Sequence, residues 1–198
     1  MKQTFLIDVD GTVAALVEYT LHKLGYLFDR DTLPKPADLK GHHDLFKRGK
    51  TLLTDDQLLA SHKLLASKGY VQHLPLILGA VESIDAIRAA GHNIQWITAS
   101  WTSSETWDYD RRTWLRKQLK VDPIDVGFFA HKELVDGDIF IDDKPDHIIK
   151  WQRKHPNGRA LLYTQPWNEG AEDNLEPGDK PLERFTWHDT ERLLKELT

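Results

Sequence analysis

Four short apolar runs set the limits on what this chain can fold into: FLIDV at 5–9, IQWIT at 94–98, DIFID at 138–142 and RALLYT at 159–164. Each has the length of a strand, and three are preceded by stretches with helical spacing. In GAVESIDAIRAAGH (79–92), Val81, Ile84, Ile87 and Arg88 recur at helical intervals up to Gly91. In 104–120, Trp107 and Trp114 lie seven apart and Leu115 and Leu119 four apart. Asp146 to Lys154 reads as a short helix ended by Pro156 and Gly158. The uncharged VGFFA (126–130) reads as one more short strand. Apolar strands alternating with helices predict an α/β fold: a Rossmann-like parallel sheet with helices on both faces.

The first strand does not return directly to the second. Residues 13–75 are too many for one crossover helix. Ala14 to Phe28 has a helical stripe (Val17, Leu21, Leu24, Phe28), broken by Leu33-Pro-Lys-Pro36. Thr54, with Gln57 three residues on, is a capping-box start for a second helix able to bury Leu58, Leu59, Leu64 and Leu65. The expectation is a core of residues 1–15 and 76–198 with a small helical insertion, residues 16–75, after the first strand. Residues 165–181 read as a long surface loop, and Trp187 to Leu197 as a final helix.

Composition narrows the function classes. The 198 residues carry a net charge of −5, which gives no broad basic face for a nucleic-acid backbone. There are no cysteines, so disulfides, thiolate metal sites and cysteine nucleophiles are excluded. MKQTFLIDVDG meets acids too early for a signal peptide, and no run approaches a membrane span. A cytoplasmic protein is the expectation; the oligomeric state stays open, a homodimer included.

In an open parallel sheet, ligands bind beyond the carboxyl ends of the strands. At those ends the sequence places Asp8, Asp10, Gly11 and Thr12, then Thr98 and Ser100, then Lys132, then Asp142, Asp143 and Asp146. Clustered carboxylates suit Mg²⁺ when substrate phosphate completes its shell. A lysine and hydroxyls suit phosphate oxygens, and an aspartate is a competent nucleophile on phosphorus. Each residue also has a structural reading: a loop or N-cap for Asp8 and Asp10, a strand end for Thr98, a helix cap for one of the 142–146 acids.

DVDGT, ITAS, HKE and IDD, in that order, resemble the signature segments of the haloacid dehalogenase-like phosphohydrolases. More closely, DVDGTVAALVEY, the TW and TWLRKQL segments, DGDIFIDDKPD and LLYTQPWN resemble the 5'(3')-deoxyribonucleotidase family. The resemblance implies Asp8 as nucleophile and metal ligand, and Asp10 as general acid/base with its backbone carbonyl on the metal. It implies Thr98 and Lys132 on the phosphate, where the hydroxyl of Ser100 can also donate from a helix start, and Asp143 and Asp142 completing or orienting an Mg²⁺ site. It also implies a helical cap that selects the leaving group, with Trp101, Phe46 and Tyr70 as candidates to meet a base; Phe28 is a further candidate or a core residue. The chain departs from the family pattern where Ala99 separates Thr98 from Ser100 and where His131 precedes Lys132.

The expected activity is Mg²⁺-dependent hydrolysis of nucleoside monophosphates, with a small-molecule phosphate ester as partner and no membrane or broad nucleic-acid surface. The alternatives are a sugar-phosphate or polynucleotide 3'-end phosphatase, a phosphotransferase, or a non-catalytic phosphate-binding protein. Trp107 and Trp114 read as core; for the loop that holds Trp167 and Asn168, the resemblance implies a place bordering the site, and the alternative is that it folds back onto the sheet. His42 and His43 with Asp44 do not read as a metal cluster, because adjacent histidines do not converge on one centre.

Overall fold

The computed structural model describes residues 1–42, 44–49 and 51–197, so His43 lies outside the described residues. Six strands form one parallel sheet: β1 Thr4–Ile7, β2 Asn93–Thr98, β3 Val126–Phe128, β4 Ile139–Asp142, β5 Arg159–Tyr163 and β6 Glu183–Phe185. Their order is β3-β2-β1-β4-β5-β6, with every pair parallel. β1 sits between β2 and β4, where the strand order reverses direction, and the crevice beyond its carboxyl end is the natural ligand site.

The period-2 alternation of strand side chains divides the core into two layers. Phe5, Ile7, Ile139, Ile141, Leu161 and Tyr163 pack on one face. Leu6, Phe140, Ala160 and Leu162 pack on the other, against Ile148 and Trp151. The covering helices are α1 Leu16–Leu24, α2 Asp55–Ala66, α3 Ala80–Ala89, α4 Trp107–Leu119, α5 Pro145–Lys154 and α6 Thr190–Glu196. The α/β fold read from the sequence is the fold observed. β6 was not anticipated: only Phe185 of its three residues is fully buried, too short a pattern to read.

Residues 16–75 leave the sheet and return to it at one point. Ala15 N–H donates to Pro75 O (3.0 Å) and Ile77 N–H to Val13 O (2.8 Å). Thr54 caps α2 as expected: Gln57 N–H donates to Thr54 Oγ1 (3.3 Å) and Thr54 N–H to Gln57 Oε1 (3.0 Å). Leu58 and Leu65 are buried, whereas Leu59 is exposed on the outer face of that helix. The insertion does not have a core of its own, since Leu24, Leu45, Leu58 and Leu65 join the same apolar cluster as Phe5 and Ile7. Among the described residues, no helix is long and apolar enough to cross a membrane.

Candidate active site

β1 ends at Ile7, and the chain then turns sharply through Asp8, Val9, Asp10 and Gly11. Asp8 N–H still pairs with Ile141 O of β4 (2.9 Å), which fixes the first carboxylate at the sheet edge. Val13 and Ala14 N–H both donate to Val9 O, closing a tight loop. Gly11 takes φ +79°, and a Cβ there would run into the Asp143 carboxylate. Only glycine satisfies both demands. Gln165 Nε2 donates to Gly11 O (2.6 Å) and Trp187 Nε1 to Thr12 O (2.8 Å), holding the loop from the far side.

Lys132, in a short 3-10 turn after β3, reaches into this edge and is buried. Its Nζ lies 2.6 Å from Asp8 Oδ1 and 2.8 Å from Asp142 Oδ2. Asp142 has both oxygens engaged: Oδ1 accepts from Lys144 N–H (2.8 Å), and Oδ2 accepts from Lys132 and from His147 Nδ1 (2.8 Å). Asp143 is held differently. Trp167 Nε1 donates to its Oδ2 (2.6 Å), Asn168 Nδ2 donates to its backbone oxygen (2.8 Å), and its Oδ1 is buried without a hydrogen-bond partner. Trp167 and Asn168 are therefore buried and reach the acidic cluster through Asp143.

The charges in this cluster are strongly coupled. Burial and the nearby Asp142 charge push Asp8 up to about 6, although Lys132 pulls the other way. Burial opposes the ionised form of Asp142 too, but His147 and Lys132 outweigh it and hold that carboxyl well below its usual range. Burial also opposes the Lys132 ammonium, yet Asp142 and Asp8 keep it above its usual value. Asp143 is driven well above the ordinary carboxylate range by burial and by the charges of Asp142 and Asp8.

Oxygens of Asp8, Asp142 and Asp143 lie within 4.8 Å of one another. This all-oxygen set fits a hard divalent cation. An ion there would neutralise the repulsion that now favours the neutral acids, and would engage the orphaned Asp143 Oδ1. Asp142 is already spent on Lys132, His147 and Lys144, so Asp143 is the better donor of the pair.

Thr98 closes β2 with a fully buried side chain whose Oγ1 has no protein partner. Ser100 lies at the rim and donates its hydroxyl to Asp108 Oδ1 (2.7 Å). A cleft of about 760 Å³ opens from these residues toward the insertion, lined there by Leu16, Val17, Leu45, Phe46, His62 and Trp101. The Trp101 ring meets His62 edge-on with centroids 5.4 Å apart. Tyr70 does not reach this cleft: it is buried, and its hydroxyl donates to Thr20 Oγ1 (3.0 Å). Phe28 packs against the main apolar cluster instead. Asp146 points to solvent.

Three participants escaped the sequence reading. His147 lines the cleft and holds Asp142. Gln165 ties the Gly11 loop. Arg111 of α4 is fully buried and pairs with Asp10 Oδ1. The signal for Arg111 was there: it stands four residues after Trp107 and three before Trp114, a cation on the buried face of a helix.

The profile of the family described as "5' nucleotidase, deoxy (Pyrimidine), cytosolic type C protein" matches residues 2–193. The chain belongs to this family. A candidate 5'(3')-deoxyribonucleotidase of Bordetella pertussis is 26% identical over 111 residues, 56% of this chain and 58% of that protein. A Bordetella parapertussis counterpart is 24% identical over the same shares. The chain thus spans less than two thirds of the curated relatives it matches. Among solved structures, a hydrolase from Pseudomonas syringae has a TM-score of 0.56 at 16% identity, over 100% of this chain and 99% of that one. A candidate haloacid dehalogenase-family hydrolase of Bacillus subtilis, solved with bound magnesium, has a TM-score of 0.55 at 16% identity, over 98% of each chain. These likenesses show the haloacid dehalogenase-like fold.

Proposed function

We propose that the protein is a Mg²⁺-dependent phosphatase of nucleoside monophosphates, acting on 5'(3')-deoxyribonucleotides through an aspartyl-phosphate. The observation that carries this reading is Lys132 bridging Asp8 and Asp142 within a cluster that also holds Asp143 and the unpartnered Thr98 hydroxyl. Family membership supports the substrate class. The magnesium in the Bacillus subtilis relative supports the choice of ion.

Lys132 and Thr98 bind the phosphoryl oxygens and orient phosphorus toward Asp8. The Asp8 carboxylate forms an O–P bond as the bond to the leaving oxygen breaks, and Asp10 gives its proton to that oxygen. Asp10 then takes a proton from the water that attacks phosphorus, which releases inorganic phosphate and restores Asp8. Asp8, Asp143 and the Asp10 backbone carbonyl would hold Mg²⁺, which supplies charge neutralisation for the approach of one anion to another. Asp142 orients Lys132. Residues 16–75 form the cap over the cleft, and its volume falls in the range that takes a small organic ligand. Phe46 and Trp101 offer the base an apolar face. Ser100 supports the phosphate loop through Asp108. The word cytosolic in the family's description supports a cytoplasmic location.

The test is phosphate release from a panel of 5'- and 3'-monophosphates, ribo and deoxy, with sugar phosphates alongside, each with Mg²⁺ and with chelator. Mg²⁺-dependent release from deoxynucleotides is the expected result. Release only from sugar phosphates would overturn the substrate and keep the chemistry. Release that persists in chelator would overturn the metal.

A further inference from the structure

Arg111 is one of the largest fully buried side chains, yet among the described residues only one of its three guanidinium nitrogens has a protein acceptor. Its Nη2 donates to Asp10 Oδ1, while Nε and Nη1 have no protein partner. Its guanidinium carbon lies 5.3 Å from the Trp107 ring centre and 5.7 Å from that of Trp114. Both rings are themselves fastened: Trp107 Nε1 donates to Ala99 O (3.1 Å) and Trp114 Nε1 to Leu74 O (2.9 Å). The guanidinium is therefore held by two locked indoles, and among the described residues its one hydrogen-bond acceptor is a carboxylate oxygen 101 residues away in sequence.

Packing does not explain this choice. A methionine would fill the space beside the two indoles without stranding any donor, and burying a charge with unsatisfied donors is costly. What arginine adds is directional. Guanidinium keeps its protons in proteins and can only donate. The oxygen it holds, Asp10 Oδ1, is the less favourable site for the carboxyl proton while that contact lasts, because a hydroxyl oxygen accepts from guanidinium more weakly than a carbonyl or carboxylate oxygen does. The contact favours Oδ2 as the oxygen that exchanges the proton.

We propose that Arg111 is the positioning residue of the acid–base step. It pins one oxygen of Asp10 and leaves Oδ2 to exchange protons with the leaving-group oxygen and then with water. This rests on Asp10 being the acid–base group of the proposed reaction. Arg111 does not line the cleft, so it acts through Asp10 and not on substrate. Its contribution is greatest where proton delivery limits the rate, on unactivated alkyl esters, and least where the leaving group departs without a proton.

The experiment compares kcat/KM for 2'-deoxyuridine 5'-monophosphate and for p-nitrophenyl phosphate in wild type, Asp10→Asn, Arg111→Met, Arg111→Lys and the Asp10→Asn/Arg111→Met double variant. Arg111→Met is expected to lose about 10- to 100-fold on the nucleotide and under about threefold on the aryl ester. Arg111→Lys keeps the cation and recovers part of the nucleotide activity. In the Asp10→Asn background, Arg111→Met is expected to cost nothing further, because the group it positions is gone. An equal loss on both esters, or the full loss repeated in the double variant, overturns the proposal. Should Arg111→Met fail to fold, the ratio of the two esters in Arg111→Lys decides: a ratio unchanged from wild type, with both rates lowered, overturns it. The two readings fail differently. If Asp10→Asn loses equally on both esters, the acid–base role of Asp10 falls and this proposal with it. If Asp10→Asn is selective and the Arg111 variants are not, only the role of Arg111 falls.

Discussion

The two walls of the cleft are built on opposite principles. On the sheet side, Asp8, Thr98, Lys132, Asp142 and Asp143 are buried, and all but Thr98 have side chains that are cross-linked by charge or hydrogen bonds. On the facing side, the insertion's Lys47 and Arg48 are exposed, and its half-buried His62 meets the half-buried ring of Trp101, from the segment after β2, edge-on. A buried, interlocked wall is preorganised and tolerates little change; a half-exposed wall is cheap to alter. Under the proposed function, the chemistry falls to the sheet wall and the choice of leaving group to the wall facing it.

The harshest test of that division is Asp8→Asn. An amide neither attacks phosphorus nor binds a hard cation well, so kcat is expected to fall by about 10⁴-fold or more. Rates near wild type would remove the nucleophile from the sheet wall. Lys132→Met comes next. It removes the proposed phosphate contact, with an expected loss of about 10²- to 10³-fold in kcat. It also leaves Asp8 and Asp142 buried without their shared cation, a cost of about 3–5 kcal/mol in urea unfolding. Loss of activity with unchanged stability would show that the wall is not held by charge.

On the opposite wall, Trp101→Ala is expected to raise KM for a deoxynucleotide about 5- to 10-fold with kcat nearly intact, and to spare p-nitrophenyl phosphate. A fall in kcat on both substrates would move Trp101 into the chemical machinery and blur the division. The smallest effect compares one tyrosine from each region. Burial pushes Tyr70, in the insertion, and Tyr163, in β5, each up to about 12. The unfolded chain releases these protons near pH 10, so the unfolded state binds fewer protons and stability falls from about pH 10 to 12. Tyr70→Phe or Tyr163→Phe should each flatten that decline by one proton in unfolding measured at pH 9, 10 and 11. A flattening by Tyr163→Phe alone would show that the insertion opens before the sheet does.

What could be read in advance follows the same division. DVDGT follows directly on strand β1, and that one segment puts two carboxylates just beyond a strand end, which is legible from the sequence alone. The capping box at Thr54 is equally local, and α2 starts there. The base-facing wall was harder. Tyr70 was a candidate by residue type, but the structure turns it inward to Thr20, fifty residues back in sequence. Leu59 matched an apolar stripe and stands outside, because the helix offers more leucines than its buried face can take.

By itself, then, the sequence determined the strand ends, the alternation of strands with helices, and the acids, threonine and lysine that gather at one sheet edge. Only the tertiary structure decided how those groups divide the work. Asp142 is consumed by Lys132, His147 and the Lys144 backbone, while Asp143 keeps one free oxygen. Arg111 finds Asp10, Gln165 finds Gly11, and Trp167 finds Asp143. These contacts depend on the order β3-β2-β1-β4-β5-β6, which brings distant segments together across β1. Periodicity reports which face of an element is buried; it carries no record of what waits on the other side of that face.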